Sequence, residues 1–262
     1  MLLAIDVGNT NTVFAVFDDV GRMKGQWRSS TDANRTADEH GVWLTQLLAL
    51  QNIDRLAIHH GVIASVVPAA LFSLRRMFRR YFDCNPMIVG TPEVDVGIRV
   101  MIDRPEEVGA DRLVNALGAY EEYGGSHIIV DFGTATTFDV IDADGSYMGG
   151  AIAPGVNMSL EALRRVAAQL PRVAIGRPDR VVGKTTAQAM RSGIFWGYVG
   201  LIEGIIERIR REMDVPMGVI ATGGVAPLFT ECCPVLERVD PHLTLKGLYA
   251  VFRRNIARLP ER

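Results

Sequence analysis

Two aspartates stand at the same place in two similar stretches of this sequence. Asp6 begins Asp-Val-Gly-Asn-Thr-Asn-Thr behind one apolar run, and Asp131 begins Asp-Phe-Gly-Thr-Ala-Thr-Thr behind another. A turn rich in Gly, Asn and Thr presents backbone N–H groups and hydroxyls that can donate to phosphate oxygens. Because a carboxylate repels phosphate, each aspartate is interpreted as a cation ligand, bound directly or through water. The pair predicts a site for a nucleotide triphosphate and its metal.

One Asp-x-Gly stretch alone would be ordinary hairpin chemistry. Two matched copies, each behind an apolar strand, favour a duplicated domain with a ligand cleft between the copies. Gly8 and Gly133 are expected to permit a close backbone approach or a positive φ. The sequence contains no Walker A motif, so the phosphates would be held by these turns.

A glycine also precedes an acid–base pair at the start of a helix predicted over residues 108–123. Acids in a first turn complement the helix dipole, which accounts for the two preceding glutamates. Gly109 in the same turn would cost about 1 kcal/mol of helix stability, so we interpret it as backbone that approaches a ligand. Asp111 is then the candidate general base, and Arg112 is the candidate anion clamp.

Three further glycine-bearing segments follow strands or precede helices. Residues 222–224, Thr-Gly-Gly, are read as backbone close to the adenosine part of a nucleotide, or as a plain strand-to-helix turn. Residues 149–155, Gly-Gly-Ala-Ile-Ala-Pro-Gly, are expected to form a binding loop. Residues 183–186 are equally consistent with two roles, capping the next helix and contacting a ligand.

The elements that position these residues alternate between strands and helices. Strands are predicted over residues 1–6, 13–18, 25–30, 60–65, 87–90, 126–131, 137–142 and 219–221. Helices are predicted over residues 37–51, 68–82, 108–123, 159–169, 186–213 and 248–258, with a break in the fifth near Gly193 or Gly197. This order predicts an α/β protein with a duplicated mixed sheet and flanking helices. We place the halves at residues 1–115 and 116–262, with the terminal helix packing back on the first half.

Composition describes an ordinary globular protein. Of the 262 residues 48% are apolar and 22% charged, and the net charge of −2 selects neither nucleic acid nor an anionic membrane. No apolar run approaches the roughly 20 residues that cross a bilayer, and three cysteines show no metal-ligand spacing. A carboxylate at position 6 interrupts any secretory signal, so we expect a cytoplasmic protein. Four arginines on the helix over 68–82 are interpreted as a solvated face rather than a polyanion site.

The ordered set of these segments resembles the type III pantothenate kinases, relatives of acetate and sugar kinases, hexokinase and actin. The resemblance rests on residues 6–12, 36–39, 65–68, 107–112, 131–137, 149–155, 182–184 and 221–224. It implies two ribonuclease-H-like halves around a central nucleotide cleft, and a homodimer. It also implies ATP-dependent phosphorylation of pantothenate, the first step towards coenzyme A, with no nucleic-acid or membrane partner.

Roles for individual residues follow from the turns and from this resemblance. The residues expected to bind ATP are Asp6, Val7, Gly8, Asn9, Thr10, Asn11, Thr12, Val13, Thr134, Gly223 and Gly224. The residues expected to contact pantothenate are Ile102, Gly109, Ala110, Asp111, Arg112 and Thr186, with Asp111 as the proton acceptor. Asp6 is expected to anchor Mg²⁺, directly or through water, and Asp131 a monovalent cation, K⁺ or NH₄⁺.

The sequence departs from the family at the stretch Ile-Asp-Arg-Pro, residues 102–105, where the family usually carries Tyr-x-Asn-Pro. The family tyrosine touches pantothenate, and Ile102 cannot make its phenolic hydrogen bond. His40 likewise replaces a common tyrosine. We therefore consider two alternatives to a pantothenate kinase: an ATP-binding regulator without transfer activity, and a kinase for another hydroxyl acceptor. Retention of Asp111 and Arg112 argues against the regulator, because a pure switch needs no base.

Overall fold

The computed structural model describes residues 1–166 and 171–258, and these group in space into two compact units. The first unit comprises Met1–Arg99, Asp103–Glu122 and the described residues from Leu243 onward. The second unit comprises Val100–Ile102 and Tyr123–His242.

Ten strands and six helices are found in the described part of the chain. The strands are β1 (Leu2–Val7), β2 (Asn11–Phe17), β3 (Met23–Ser30), β4 (His60–Ser65), β5 (Pro86–Ile88), β6 (His127–Phe132), β7 (Ala135–Ile141), β8 (Tyr147–Pro154), β9 (Gly218–Thr222) and β10 (Arg238–Val239). The helices are α1 (Ala37–Leu50), α2 (Pro68–Phe82), α3 (Ala110–Tyr123), α4 (Val156–Val166), α5 (Thr186–Met213) and α6 (Leu243–Asn255). The half boundary predicted at residue 115 falls inside α3, which the spatial grouping keeps in the first unit as far as Glu122.

The sheet of the first unit has the order β3-β2-β1-β4-β5. The two hairpin pairs are antiparallel, and β4 pairs in parallel with both β1 and β5. Side chains alternate across β1, so Leu3 and Ile5 join the core under α1 and α2, while Leu2 and Ala4 join the core under α3 and α6. Asp6 lies on the face of β1 that bears Leu2 and Ala4, which is the face towards α3.

Local sequence signals account for the helices of the first unit. Thr36 and Glu39 form a reciprocal capping box that starts α1. Pro68 occupies the first turn of α2, where its missing N–H costs nothing, and Leu74 and Phe78 form part of its buried stripe. The predictions for β4 and α2 are confirmed at both ends.

The sheet of the second unit has the same topology, in the order β8-β7-β6-β9-β10. Its hairpins are antiparallel and its crossover pairs parallel, as in the first sheet. The register also shifts at matching places, between Val16 and Phe17 in β2 and between Val140 and Ile141 in β7. The predicted duplicated mixed sheet is confirmed.

Several predicted elements differ from the structure. Residues 149–154, predicted as part of a binding loop, belong to β8 and pair with β7. The predicted break in α5 is wrong, because the helix continues through Gly193 and Gly197. Strand β10 was not predicted. Residues 167–169 of the predicted helix over 159–169 lie outside the described residues.

None of the helices in residues 1–166 and 171–258 combines the length and the apolar character that crossing a bilayer would require.

Candidate active site

The first Asp-x-Gly turn joins β1 to β2. Asp6 is half-buried near the end of β1, and Asn9, Thr10 and Asn11 are exposed at the tip of the turn. The Gly8 amide donates to the Asn11 carbonyl oxygen at 3.0 Å, which closes the turn. Gly8 does not have a positive φ, so the close approach of backbone, with Asn11 O 3.2 Å from its ideal Cβ position, accounts for this glycine.

Thr31, which was not predicted as a site residue, holds this turn in place. It follows the last residue of β3, and its hydroxyl donates to the carbonyl oxygen of Gly8 at 2.7 Å. The hydroxyls of Thr31 and Thr12 are 2.9 Å apart, and the Thr31 amide donates to Thr10 O at 3.0 Å. Thr12 is only 3% exposed, so its hydroxyl faces Thr31 and the sheet.

The segment with the candidate base lies beside the first turn, within the same unit. The amide of Val66, just after β4, donates to the carbonyl oxygen of Val7 at 3.0 Å. On its other side, Cγ1 of Val66 is 3.7 Å from the ideal Cβ position of Gly109. Val66 therefore connects the end of β1, where Asp6 lies, to the segment that precedes Asp111.

Gly109 lies just before α3, which begins at Ala110, so it does not incur the predicted cost to helix stability. The two glutamates occupy a separate short 3₁₀ turn, Pro105–Glu107, and not the first turn of α3. A Cβ on Gly109 would come within 2.5 Å of Oδ1 of Asp111. The same Oδ1 accepts the Arg112 amide at 2.8 Å. Gly109 thus leaves room for the Asp111 carboxylate to fold back over the start of α3.

The second Asp-x-Gly turn joins β6 to β7 and packs against Gly223, which directly follows β9. Asp131 is half-buried, and Gly133 and Thr134 are exposed. Gly223 has φ +92°, and a Cβ there would lie 2.6 Å from Phe132 O and 2.8 Å from Asp131 Oδ1. Packing and backbone conformation therefore require Gly223, whatever ligand the turn binds.

Ile102 and Thr186, both expected to contact pantothenate, belong to the second unit. Cγ2 of Ile102 lies 3.3 Å from the ideal Cβ position of Gly149 on β8. Thr185 is the N-cap of α5, because its hydroxyl accepts the Gln188 amide at 3.2 Å. Thr186, the first residue of α5, is exposed.

His40 is buried in α1 and serves the core of the first unit. Its side chain is 4% exposed, and its ring centroid lies 6.1 Å from that of Phe14. Burial, aided by the charge of Arg35, lowers the pKa of His40 from 6.5 to about 4. Its Nδ1 has no hydrogen-bond partner in the described part of the chain.

The arginines of α2 lie on its exposed face. Arg80 forms an ion pair with Asp38 at 2.8 Å, and Nε of Arg79 donates to Oδ1 of Asn85 at 2.8 Å. These contacts fit a solvated, locally paired surface.

The polar groups at the first turn suit a hard cation such as Mg²⁺, which obtains most of its oxygen ligands from water and from the phosphates of a bound nucleotide. Among the described residues, no group of three or more His, Cys, Asp or Glu side chains is placed to hold a metal. Mg²⁺ commonly uses one or two protein carboxylates and completes its octahedron with water and substrate phosphates. A single carboxylate, Asp6, beside a turn with exposed hydroxyl and amide groups suits that form of binding.

Comparison with solved structures defines the fold class. A candidate 2-dehydro-3-deoxygalactonokinase from Sinorhizobium meliloti matches with TM-score 0.61 and 15% identity, over 97% of this chain and 99% of that one. The activator of 2-hydroxyisocaproyl-CoA dehydratase from Clostridium difficile, solved with bound ADPNP, matches with TM-score 0.55 and 9% identity, over 100% and 98%. At these identities the likeness concerns the fold alone, and this chain shares its duplicated α/β fold with both proteins.

The chain belongs to the type III pantothenate kinase family, whose model matches residues 2–208. A type III pantothenate kinase from Paramagnetospirillum magneticum is 61% identical over 255 residues, which cover 97% of this chain and 98% of that protein. One from Rhodospirillum rubrum is 60% identical over 255 residues, covering 97% and 99%. The resemblance drawn from the sequence motifs is confirmed.

Proposed function

We propose that this protein transfers the γ-phosphoryl group of ATP to the primary hydroxyl of pantothenate, which begins coenzyme A synthesis. Full-length similarity to proteins named type III pantothenate kinase supports this activity. The structural observation that carries it is the link through Val66 between the end of β1 and Gly109. That link holds the first Asp-x-Gly turn and the candidate base together in one unit.

Asp111 is the proposed proton acceptor. As the pantothenate oxygen forms its bond to the γ-phosphorus, the bond from that phosphorus to ADP breaks, and the hydroxyl proton passes to the Asp111 carboxylate. Arg112 is proposed to hold the pantothenate carboxylate by charge-assisted hydrogen bonds. Gly109, Ala110, Ile102 and Thr186 are proposed to contact pantothenate.

Residues 6–13, Thr134, Gly223 and Gly224 are proposed to bind the nucleotide. Asp6 would hold Mg²⁺, directly or through water, and the ion would supply positive charge to neutralise the transferring phosphates. Asp131 is proposed to hold a monovalent cation, K⁺ or NH₄⁺, since its half-buried carboxylate and the Phe132 carbonyl oxygen both lie near one point, 2.8 and 2.6 Å from the ideal Cβ position of Gly223. Phosphoryl transfer depends mainly on positioning and charge stabilisation, so these contacts carry most of the catalytic effect.

A homodimer is proposed, with the glycine face of α5 as its contact. Gly193, Gly197 and Gly200 recur at helical spacing, all three are exposed, and a Cβ on any of them would meet no atom within 4 Å. Small residues let two helix backbones approach closely. Glycines also destabilise a helix interior, by about 1 kcal/mol each, and a second copy packed on this face would offset that cost.

A cytoplasmic location is also proposed. Cys84, Cys232 and Cys233 are free thiols, as expected in a reducing compartment.

One assay separates this function from its two alternatives. Purified protein is incubated with ATP, Mg²⁺, K⁺ and a panel of hydroxyl acceptors, and ADP release is followed. ADP formed with pantothenate alone supports the proposal. ADP formed with another acceptor selects a different kinase, and ATP binding without turnover selects a regulator.

A further inference from the structure

Thr31 and Gly155 occupy equivalent positions in the two sheets. Thr31 directly follows Ser30, which pairs with Asn11 at the start of β2. Gly155 directly follows Pro154, which pairs with Ala135 at the start of β7. Each residue therefore lies directly after the third strand of its sheet, beside the Asp-x-Gly turn.

In the first sheet, the end of the third strand is joined to the Asp-x-Gly turn by a chain of two hydroxyl hydrogen bonds, from Thr12 to Thr31 and from Thr31 to Gly8, which we call the hydroxyl relay. The single hydroxyl proton of Thr31 is donated to Gly8 O at 2.7 Å, so Thr12 must donate to Thr31 across their 2.9 Å separation. The Thr31 amide adds a bond to Thr10 O at 3.0 Å. Hydrogen bonds in such a chain polarise and strengthen one another.

In the second sheet, the residue after the third strand has no side chain, and its backbone packs directly against the backbone of the Asp-x-Gly turn. A Cβ on Gly155 would overlap the carbonyl oxygen of Thr134 and lie 2.9 Å from that of Gly133. Thr136, the counterpart of Thr12 in the register, has a buried hydroxyl with no hydrogen-bond partner among the residues that the structure describes. The relay therefore distinguishes the first turn from the second.

The relay also fixes the direction of the turn amides. A trans peptide group is planar and its N–H points opposite to its C=O. Because the carbonyls of Gly8 and Thr10 point to Thr31, the N–H groups of Asn9 and Asn11 point away from it. Two donors of the turn are thus directed away from the end of β3 before any ligand arrives.

We propose that Thr31 is a positioning residue for ATP, which holds the first turn with its amides aimed at the nucleotide phosphates. This inference rests on the proposed use of ATP and deepens it. Thr31 itself need not touch the nucleotide. Its effect is on ATP affinity, and the binding of pantothenate does not depend on it.

The test compares Thr31→Val, which keeps the shape and removes the hydroxyl, with Thr31→Ser, which restores it. For Thr31→Val we expect the Kd and KM for ATP to rise about tenfold, the effect of losing two partly buried hydroxyl bonds, with the KM for pantothenate unchanged. Thr31→Ser should bind ATP nearly as the natural protein does. Ser30→Ala, an exposed neighbour on β3, is the matched control and should change nothing.

A purely structural role would lower the unfolding temperature of Thr31→Val without raising its Kd for ATP. That result, or failure of Thr31→Ser to restore affinity, overturns the inference. If Thr31→Val does not fold, Thr31→Ala is measured in the same way. Because ATP affinity is read by equilibrium dialysis without an acceptor, a protein that binds ATP but does not phosphorylate pantothenate refutes the proposed function and leaves this test intact.

Discussion

Gly223 packs against Asp131 so closely that a β-carbon on Gly223 would lie 2.8 Å from Oδ1 of that carboxylate. The contact joins the strand end at β9 to the strand end at β6, which pair in parallel up to Asp131 and Thr222. Any side chain at position 223 must therefore displace the carboxylate that we propose as the monovalent-cation ligand.

Gly223→Ala should weaken both the fold and the cation response. The positive φ and the crowded Cβ predict a loss of about 1–3 kcal/mol in the free energy of unfolding. The displaced Asp131 should raise the K⁺ concentration needed for half-maximal activity. Thermal unfolding and K⁺ titration of turnover measure the two effects. Gly176→Ala, at a glycine with open space around it, is the control; an unchanged K⁺ response in Gly223→Ala would contradict the assignment.

Asp111→Asn should lower turnover by about 10²–10⁴-fold, the usual contribution of a general base. The KM for ATP should change little, since the first turn is untouched. Initial rates with pantothenate, alongside circular dichroism to check folding, measure the effect. Glu106→Gln, an exposed acid in the same segment, is the control. Full turnover in a folded Asp111→Asn protein would show that another group takes the proton.

Asp6→Asn should raise the KM for Mg-ATP by at least about tenfold, because a neutral amide is a poorer anchor for the cation that neutralises the phosphates. The measurement is the rate as a function of Mg²⁺ at fixed ATP. Asp144→Asn, in an exposed turn of the second unit, is the control. An Mg²⁺ dependence identical to that of the natural protein would refute the anchoring role of Asp6.

His40 should make the protein less stable in mild acid. Its pKa is lowered from 6.5 to about 4 in the folded state, chiefly by burial. As pH falls from about 6.5 to about 4, the unfolded chain takes up a proton that the folded chain does not, so stability declines by about 3 kcal/mol. Urea unfolding at several pH values should show this decline shrinking in His40→Phe and persisting in the exposed-site control His59→Gln. If stability declines equally with pH in the natural protein, His40→Phe and His59→Gln, His40 is not the cause of the decline.

Gly197→Leu should disrupt the proposed homodimer, because a branched side chain on the glycine face of α5 prevents close helix approach. Sedimentation equilibrium should show a shift towards monomer. Arg191→Leu adds the same side chain at an exposed position on the opposite side of α5 and should leave the dimer intact. If Gly197→Leu sediments like the natural protein, the contact lies elsewhere.

Sequence patterns predicted the elements whose signals are local. The apolar stripe of α2 and the buried run of β4 were sufficient to predict both ends of each. Strand β8 was misread because its Gly-Gly and Pro-Gly pairs resemble turns, while its ladder is supplied by β7. The glycines of α5 were read as a break although long-range packing holds that helix together.

In the candidate site, too, residues with a local sequence signal were predicted and a residue defined by a long-range contact was not. Asp6, Asp131 and Asp111 stand out because they interrupt apolar or glycine-rich runs. Thr31 carried no such signal, since its bond to Gly8 spans 23 residues and exists only once β3 has paired with β2. A threonine at the end of a strand looks ordinary until the turn that it holds is known.

Helix α6 buries Leu245, Leu248 and Val251 against β1 and its neighbours, although the whole second unit separates it from them in the chain. During synthesis the ribosome therefore releases β1 long before the helix that covers it. Until α6 emerges, α3 covers this face of the first sheet only in part, and the rest remains an apolar surface open to water and to chaperones. The core of the second unit comes from one nearly continuous stretch of chain, which is synthesised before α6. The second unit can therefore fold before the last helix of the first unit has been made.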